Sequence, residues 1–283
     1  MTRKTVAVCA DDYGASEGVD AAILELARAG RLSAFTCLVN GARWPTAAAA
    51  ATMAMRDLPE RIEVGLHLDF TEGTPCSAEL ARHWPSLPSL PALMLRAALG
   101  RLPLAAVRAE VRAQHAAFVD AFGRAPDFID GHQHVHHLPG LRDVVLEFAS
   151  ACSPRPPLRA TGRVCGPGHR IKRALIEASG GRALMRELRR RGWPHNVALL
   201  GVYDFGARDY RSLMRGWLAS APVRGALLLC HPARAAEPDD PIGPARVREL
   251  AYLASPAFGA DLAEAGVVLG AAWLPVSESS SGG

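Results

Sequence analysis

Seven or eight apolar runs alternate with helical patterns along 283 residues, which predicts an α/β chain folded as a single-domain distorted (β/α) barrel with seven or eight parallel strands. Two further observations point the same way. Hydrophobic residues make up 49% of the chain, enough for a sizeable core. Several apolar runs end on acids or histidines, as parallel strands do where their ends share one rim.

Taken in order, Val6-Ala7-Val8-Cys9-Ala10 is long enough for one buried strand and too short for a helix. A helix is expected over 16–30, with Val19, Ala22, Ile23, Leu26 and Ala27 on one face. Ser33 to Val39 reads as a strand, Thr46 to Leu58 as a helix and Ile62 to Leu68 as a strand. The stretch from Thr71 to Pro103, rich in Pro, Ser and Leu, is too long for an ordinary βα loop and reads as a lid or substrate-binding insertion. A helix over 104–122, a strand over 128–135 and a helix over 140–151 follow. A second proline-rich region, Ser153 to Gly168, holds a short strand at 157–160. A helix over 171–191 and strands at 197–203, 226–230 and 267–272 complete the set.

The net charge of +4 is mild, and the arginines between Arg186 and Arg191 read as a solvated helix end. No aromatic residues or nucleic-acid motif accompany them, so a nucleic-acid partner is not expected. No apolar stretch is long enough to span a bilayer, and the first strand starts too early for a signal peptide, which makes a cytoplasmic location the expectation. The six cysteines lack CxxC spacing and are expected as free thiols. One domain over 1–276 with a disordered tail at 277–283 is the expected organisation.

The densest chemistry lies in Asp130-Gly131-His132-Gln133-His134-Val135-His136-His137, which holds four of the ten histidines. On a strand, Asp130, His132, His134 and His136 would share a face, spaced by roughly 6.6 Å, too far for all to bind one ion. One or two neighbours are then ligands, and the rest come from elsewhere. Asp11-Asp12-Tyr13-Gly14, Gly65-Leu66-His67-Leu68-Asp69 and Cys230-His231-Pro232 are the other strand ends with suitable groups. Each has a bland reading as a helix cap, a turn or a core histidine; together they make a stronger pattern. Adjacent carboxylates at a strand end diverge, so Asp11 and Asp12 can hold different jobs.

These segments, with Leu38-Val39-Asn40-Gly41 and Gly201-Val202-Tyr203-Asp204-Phe205, occur in an order that resembles the ChbG/HpnK (YdjC-like) carbohydrate deacetylase family over most of the chain. The resemblance implies a distorted (β/α) barrel and a metal-dependent hydrolase that removes acetyl from an N-acetylated amino sugar or its glycoconjugate, oligosaccharide or lipid-linked. It implies Asp12, His67 and His132 as metal ligands, Asp11 as general base and His231 as general acid. Tyr13, Asn40, Asp69, His134, His136, Arg159 and Asp204 become candidates for substrate contact, and a homodimer a candidate assembly. The residues alone do not choose His132 over His134. Nor does the ligand set choose the metal: imidazoles suit Zn²⁺, while a carboxylate with waters also suits Mg²⁺ or Mn²⁺.

The chain departs from the family at Tyr13, where Phe is usual and a hydroxyl is expected near the site. Asp69 is expected to bring an extra negative charge close to the metal, His137 extends the cluster, and the segment around Arg159 matches only loosely. A metal-dependent hydrolase of another bond, such as a phosphoester, and a non-catalytic sugar-binding protein are the alternatives.

Overall fold

Strand β1 (Lys4–Tyr13) is central because it pairs along both edges. Its residues Val6 to Ala10 pair with β6 (Ala226–Cys230), its C-terminal half with β2 (Ala34–Cys37), and its first residues with β7 (Val267–Leu269). Strands β3 (Glu63–Leu68), β4 (Ile129–Gly131) and β5 (Ala198–Leu200) complete a parallel sheet in the order β4-β3-β2-β1-β6-β5. Strands covered on both faces need apolar side chains on both, which is why they appear in the sequence as continuous apolar runs. These are features of a computed structural model that describes residues 3–59 and 62–274. The tail expected at 277–283 lies outside the described residues.

No regular ladder joins β4 to β5. The segment at 157–164 lies between them, with Leu158 bridging Ile129 on one side and His195 on the other, and Val164 bridging Leu199. The short strand expected at 157–160 is thus reduced to isolated bridges, since Pro156 and Pro157 have no N–H to give. This irregular stave closes the curl of the sheet and makes the barrel a distorted one.

The helices are α1 (Glu17–Arg28), α2 (Trp44–Ala54), α3 (Ala78–Ala81), α4 (Leu90–Ala98), α5 (Leu104–Phe122) and α6 (Leu141–Ala151) in the first half. The second half adds α7 (Arg170–Ile176), α8 (Arg182–Arg190), α9 (Tyr210–Ser220), α10 (Gly243–Leu253) and α11 (Pro256–Glu264). Helix α1 starts where the Ser16 hydroxyl accepts the Val19 N–H, and its apolar face is buried as the spacing predicts. Helix α5 stops at Gly123, whose φ of 65° suits glycine. No helix of the described residues is long and apolar enough to cross a membrane. All six cysteines are free.

Two expectations need correction. The strand expected over 128–135 ends at Gly131, and His132–His137 forms a tight 3₁₀ turn with Gln133 and His134 at φ 50° and 63°. The chain folds back so closely that a Cβ on Gly131 would lie 3.0 Å from the His136 nitrogen. The helix over 171–191 is broken by a π-turn, Glu177–Gly181, because Gly180 passes against the His137 carbonyl, where a Cβ would sit 2.0 Å from the oxygen. The stretch at 71–103 carries α3 and α4, with Leu80, Trp84, Leu87 and Leu93 buried. Helices α9, α10 and α11 had no counterpart in the sequence reading.

Gly201, just after β5, has φ 96° and no room for a side chain, since a Cβ would lie 2.2 Å from the Leu229 carbonyl oxygen. Gly201→Ala should therefore cost about 1–3 kcal/mol through strain and overpacking. Urea denaturation reads this directly; an unchanged midpoint would show that β5 and β6 separate more easily than their packing implies.

Candidate active site

The C-terminal ends of β1, β3, β4 and β6 open on a cavity of about 610 Å³, lined among others by Asp11, Asp12, His67, His132, His134 and His231. Strand β1 breaks its register with β2 between Ala10 and Tyr13, and Asp12 adopts φ 74°. This bulge sends the two neighbouring carboxylates to different partners. Asp12 Oδ1 lies 2.9 Å from His132 Nδ1 and 3.4 Å from His67 Nε2, while Oδ2 accepts from Arg246 Nη2 at 2.8 Å. Asp11 instead faces Arg159, with contacts of 2.6 and 2.7 Å to the two terminal guanidinium nitrogens.

His67 is held from behind by Asp130, whose Oδ1 is 2.6 Å from Nδ1, leaving Nε2 toward Asp12. Asp130 Oδ2 in turn meets Arg159 Nη2 at 2.5 Å. One fully buried guanidinium therefore joins Asp11 and Asp130, and through Asp130 orients His67. Burial alone would raise the Asp11 pKa, but the Arg159 cation outweighs it and keeps the carboxylate well below the usual range.

Asp12, His67 and His132 offer one carboxylate oxygen and two imidazole nitrogens within 4.8 Å of one another, a donor set that suits a divalent cation. The carboxylate behind His67 fits this role, because metal-binding imidazoles are commonly oriented through their other nitrogen. Asp11, His67 and Asp130 form a second close group, but the Arg159 cation already engages both of those acids. The donors fit the first place and not the second.

The other expected residues are placed differently. His134 lines the cavity, whereas His136 turns away and pairs its Nε2 with the Arg159 carbonyl at 2.8 Å. Burial lowers His136 to about 4 and His137 to about 3, and His137 sits between Thr161 and Ser179 at 2.7 and 2.9 Å. Tyr13 corrects the expectation of a hydroxyl near the site: its O–H donates to the Ala47 carbonyl at 2.8 Å, on the helix side of the sheet. Asp69 does place its negative charge near the cluster, where it helps to raise the His132 pKa. It accepts from Asn40 Nδ2 at 2.9 Å, from the Thr71 N–H and hydroxyl, and from the Glu72 N–H, so its carboxylate organises its own loop. Asp204 is largely exposed and accepts the Gly206 N–H at 2.9 Å.

His231 also lines the cavity, edge-on to Phe205 with ring centroids 5.3 Å apart. Its backbone N–H donates to Glu249 at 2.6 Å, its Nδ1 has no hydrogen-bond partner in the protein, and burial pushes its pKa down to about 4. Glu249, itself raised to about 7 by burial, also accepts the Tyr203 hydroxyl at 2.5 Å. Arg246 and Glu249 had no sequence signal, because α10 mixes charged and apolar residues between two loops. Asp130 did have one, as the acid heading the histidine cluster, and Glu72 and Leu90 bring the 71–103 stretch to the cavity.

Residues 5–264 match the family described as YdjC-like protein. The chain belongs to this YdjC-like family. A mouse relative named carbohydrate deacetylase is 32% identical over 94% of this chain and 93% of its own length. A Serratia marcescens protein named chitooligosaccharide deacetylase is 31% identical over 94% of this chain and 97% of its own. A Klebsiella pneumoniae protein of the same name is 35% identical, but the match spans only 52% of this chain and 56% of that protein. Among solved structures, an Enterococcus faecalis V583 protein described as a candidate for cellobiose-phosphate cleavage superposes with a TM-score of 0.70 at 22% identity, covering 94% of this chain and 97% of the other.

Burial disfavours a charged His67, yet Asp130 and Asp12 raise its pKa to about 9, and Asp12 raises His132 above its ordinary value. A cation must displace those protons, so its affinity should rise with pH through the neutral range by about tenfold per unit for each proton released. Competition against a chelator at several pH values tests this; a pH-independent affinity would place the cation elsewhere. In the ion-free chain the sign is opposite: the raised His67 pKa stabilises the fold fully below the ordinary value of 6.5, and this is lost as pH rises through about 9.

Arg159→Met would leave Asp11 and Asp130 buried without their shared cation and should destabilise the fold by about 3–5 kcal/mol. Equilibrium unfolding measures the loss, and a change within error would mean that water or a second cation replaces the guanidinium.

Proposed function

We propose that this chain is a metal-dependent deacetylase that hydrolyses the N-acetyl group of an amino sugar or its glycoconjugate and releases acetate. The observation that carries the reading is the grouping of Asp12, His67 and His132 beside Asp11 and His231 in one cavity. The names of the mouse and Serratia relatives support the choice of amide over other bonds.

A divalent cation held by Asp12, His67 and His132 supplies Lewis-acid polarisation for an acyl oxygen and makes water more acidic. The chain's own residues supply the rest. Asp130 fixes the His67 tautomer, and Arg246 balances the Asp12 charge. Asp11, ionised at every working pH through Arg159, accepts the proton of the attacking water, and His231 protonates the departing amine.

One observation favours a second division of labour. Both Asp11 oxygens are committed to Arg159, whereas His231, held neutral by burial, lines the cavity. In that version His231 takes the water proton and passes it to the amine, and Asp11 contributes only charge.

Acetate release from a panel of N-acetylated glycans tests the activity; release of phosphate from sugar phosphates instead would support the phosphoesterase alternative, and no turnover the sugar-binding one. Asp12→Asn should lose metal, with partial rescue by excess ion. Asp11→Asn should keep the metal and lose about 10²–10⁴-fold in kcat if it is the base. A fall of less than tenfold there, with His231→Ala nearly inactive, would assign both transfers to His231.

A further inference from the structure

Phe205 lies in the cavity wall and, among the described residues, is the one Phe, Tyr or Trp with a positive φ, 65°. A bulky side chain in the left-handed region is strained, so its surroundings must hold it there. They do so at consecutive residues. Lys172 Nζ donates to the Tyr203 carbonyl at 2.5 Å, Asp204 Oδ1 accepts the Gly206 N–H at 2.9 Å, and Arg248 Nη2 donates to the Phe205 carbonyl at 2.8 Å. The Lys172 ammonium also stands 4.5 Å from the centre of the Phe205 ring.

The ring so held meets His231 edge to face, at 5.3 Å and an interplanar angle of 78°. The tether from the His231 N–H to Glu249 fixes the backbone but leaves the imidazole free to rotate about its side-chain bonds. Its Nδ1 has no protein partner, so no carboxylate locks the ring through that nitrogen as Asp130 locks His67. The restraint on its plane falls to packing.

We propose that Phe205 is a positioning residue that fixes the plane of the His231 imidazole at the cavity wall, and that the strained backbone persists because it delivers the ring to that place. The inference rests on the proton-transfer role given to His231 above. The residue acts through His231 and not on the substrate, which separates it from an aromatic platform for the sugar.

Two variants test it. Phe205→Leu keeps apolar bulk and loses the planar ring; Phe205→Tyr keeps the ring. Phe205→Leu should lower kcat for acetate release by about 10–100-fold, with KM within about threefold, metal content unchanged, and Phe205→Tyr restoring most of the rate. A wild-type kcat in the Leu variant overturns the proposal, as does a rise in KM alone, which would make the ring a substrate contact, or a folded Tyr variant as slow as Leu. A second measurement needs neither turnover nor the Leu variant. In the wild-type chain the carbon-bound protons of His231, assigned by comparison with His231→Ala, should show ring-current shifts in NMR spectra. Their absence overturns the proposal. Wild-type protein that releases no acetate but shows these shifts defeats the deacetylase reading and leaves the packing of the two rings standing.

Discussion

The Arg159 guanidinium touches carboxylates from two different strands, Asp11 at the end of β1 and Asp130 in β4, and the arrangement of the rim depends on these contacts. Removed from water, the two acids would repel each other, and a buried cation between them converts repulsion into a fixed separation. The gain in stability is small or negative because all three charges are desolvated. What the array provides is geometry. Asp130 orients His67, His67 faces Asp12, and His136 pins the Arg159 carbonyl, so the rim positions of three strands and one turn converge on one residue.

Around this array the backbone departs from ordinary conformations. Asp12, Gln133, His134 and Phe205 all have positive φ, and Asp12, His134 and Phe205 line the same cavity as Gln133. Strain concentrated at a cavity is a cost that regular packing elsewhere must offset. The uninterrupted burial of Val6, Val8, Ala10, Leu66, Leu228 and Cys230 beneath the rim provides that support.

Much of this was legible in the sequence because buried parallel strands announce themselves as apolar runs, and the polar residue after each run marks its rim end. Asp11, Asp12, His67, His132 and His231 converge for that reason. Alternation failed at the histidine cluster: a period of two presumes a continuing strand, and the chain turned back at Gly131. Tyr13 was misplaced because residue type does not reveal which neighbour will satisfy a hydroxyl; here it was the Ala47 carbonyl. Arg246 and Glu249 escaped because their helix has a weak apolar face, and the groups they meet at the site, Asp12 and the His231 N–H, are far away in the chain.

The irregular stave between β4 and β5 has a consequence for the order in which parts of the molecule come apart. Leu158 holds its place through single bridges, and Arg159 is its next residue. The backbone bonds that join this stave to its neighbours around Arg159 run from Arg159 to Ile129, from Ile129 to Pro157 and from Leu158 to Pro194, and the side chains of His136 and Asn196 hold Arg159 and Ala160 beside them. A segment joined by bridges and side-chain bonds, without a continuous ladder, is where local opening below the free energy of global unfolding is expected first. Native-state excursions there would scatter the acids and His67 while the remaining strands stay paired, so the lifetime of the assembled rim is set by the weakest seam of the barrel and not by its core.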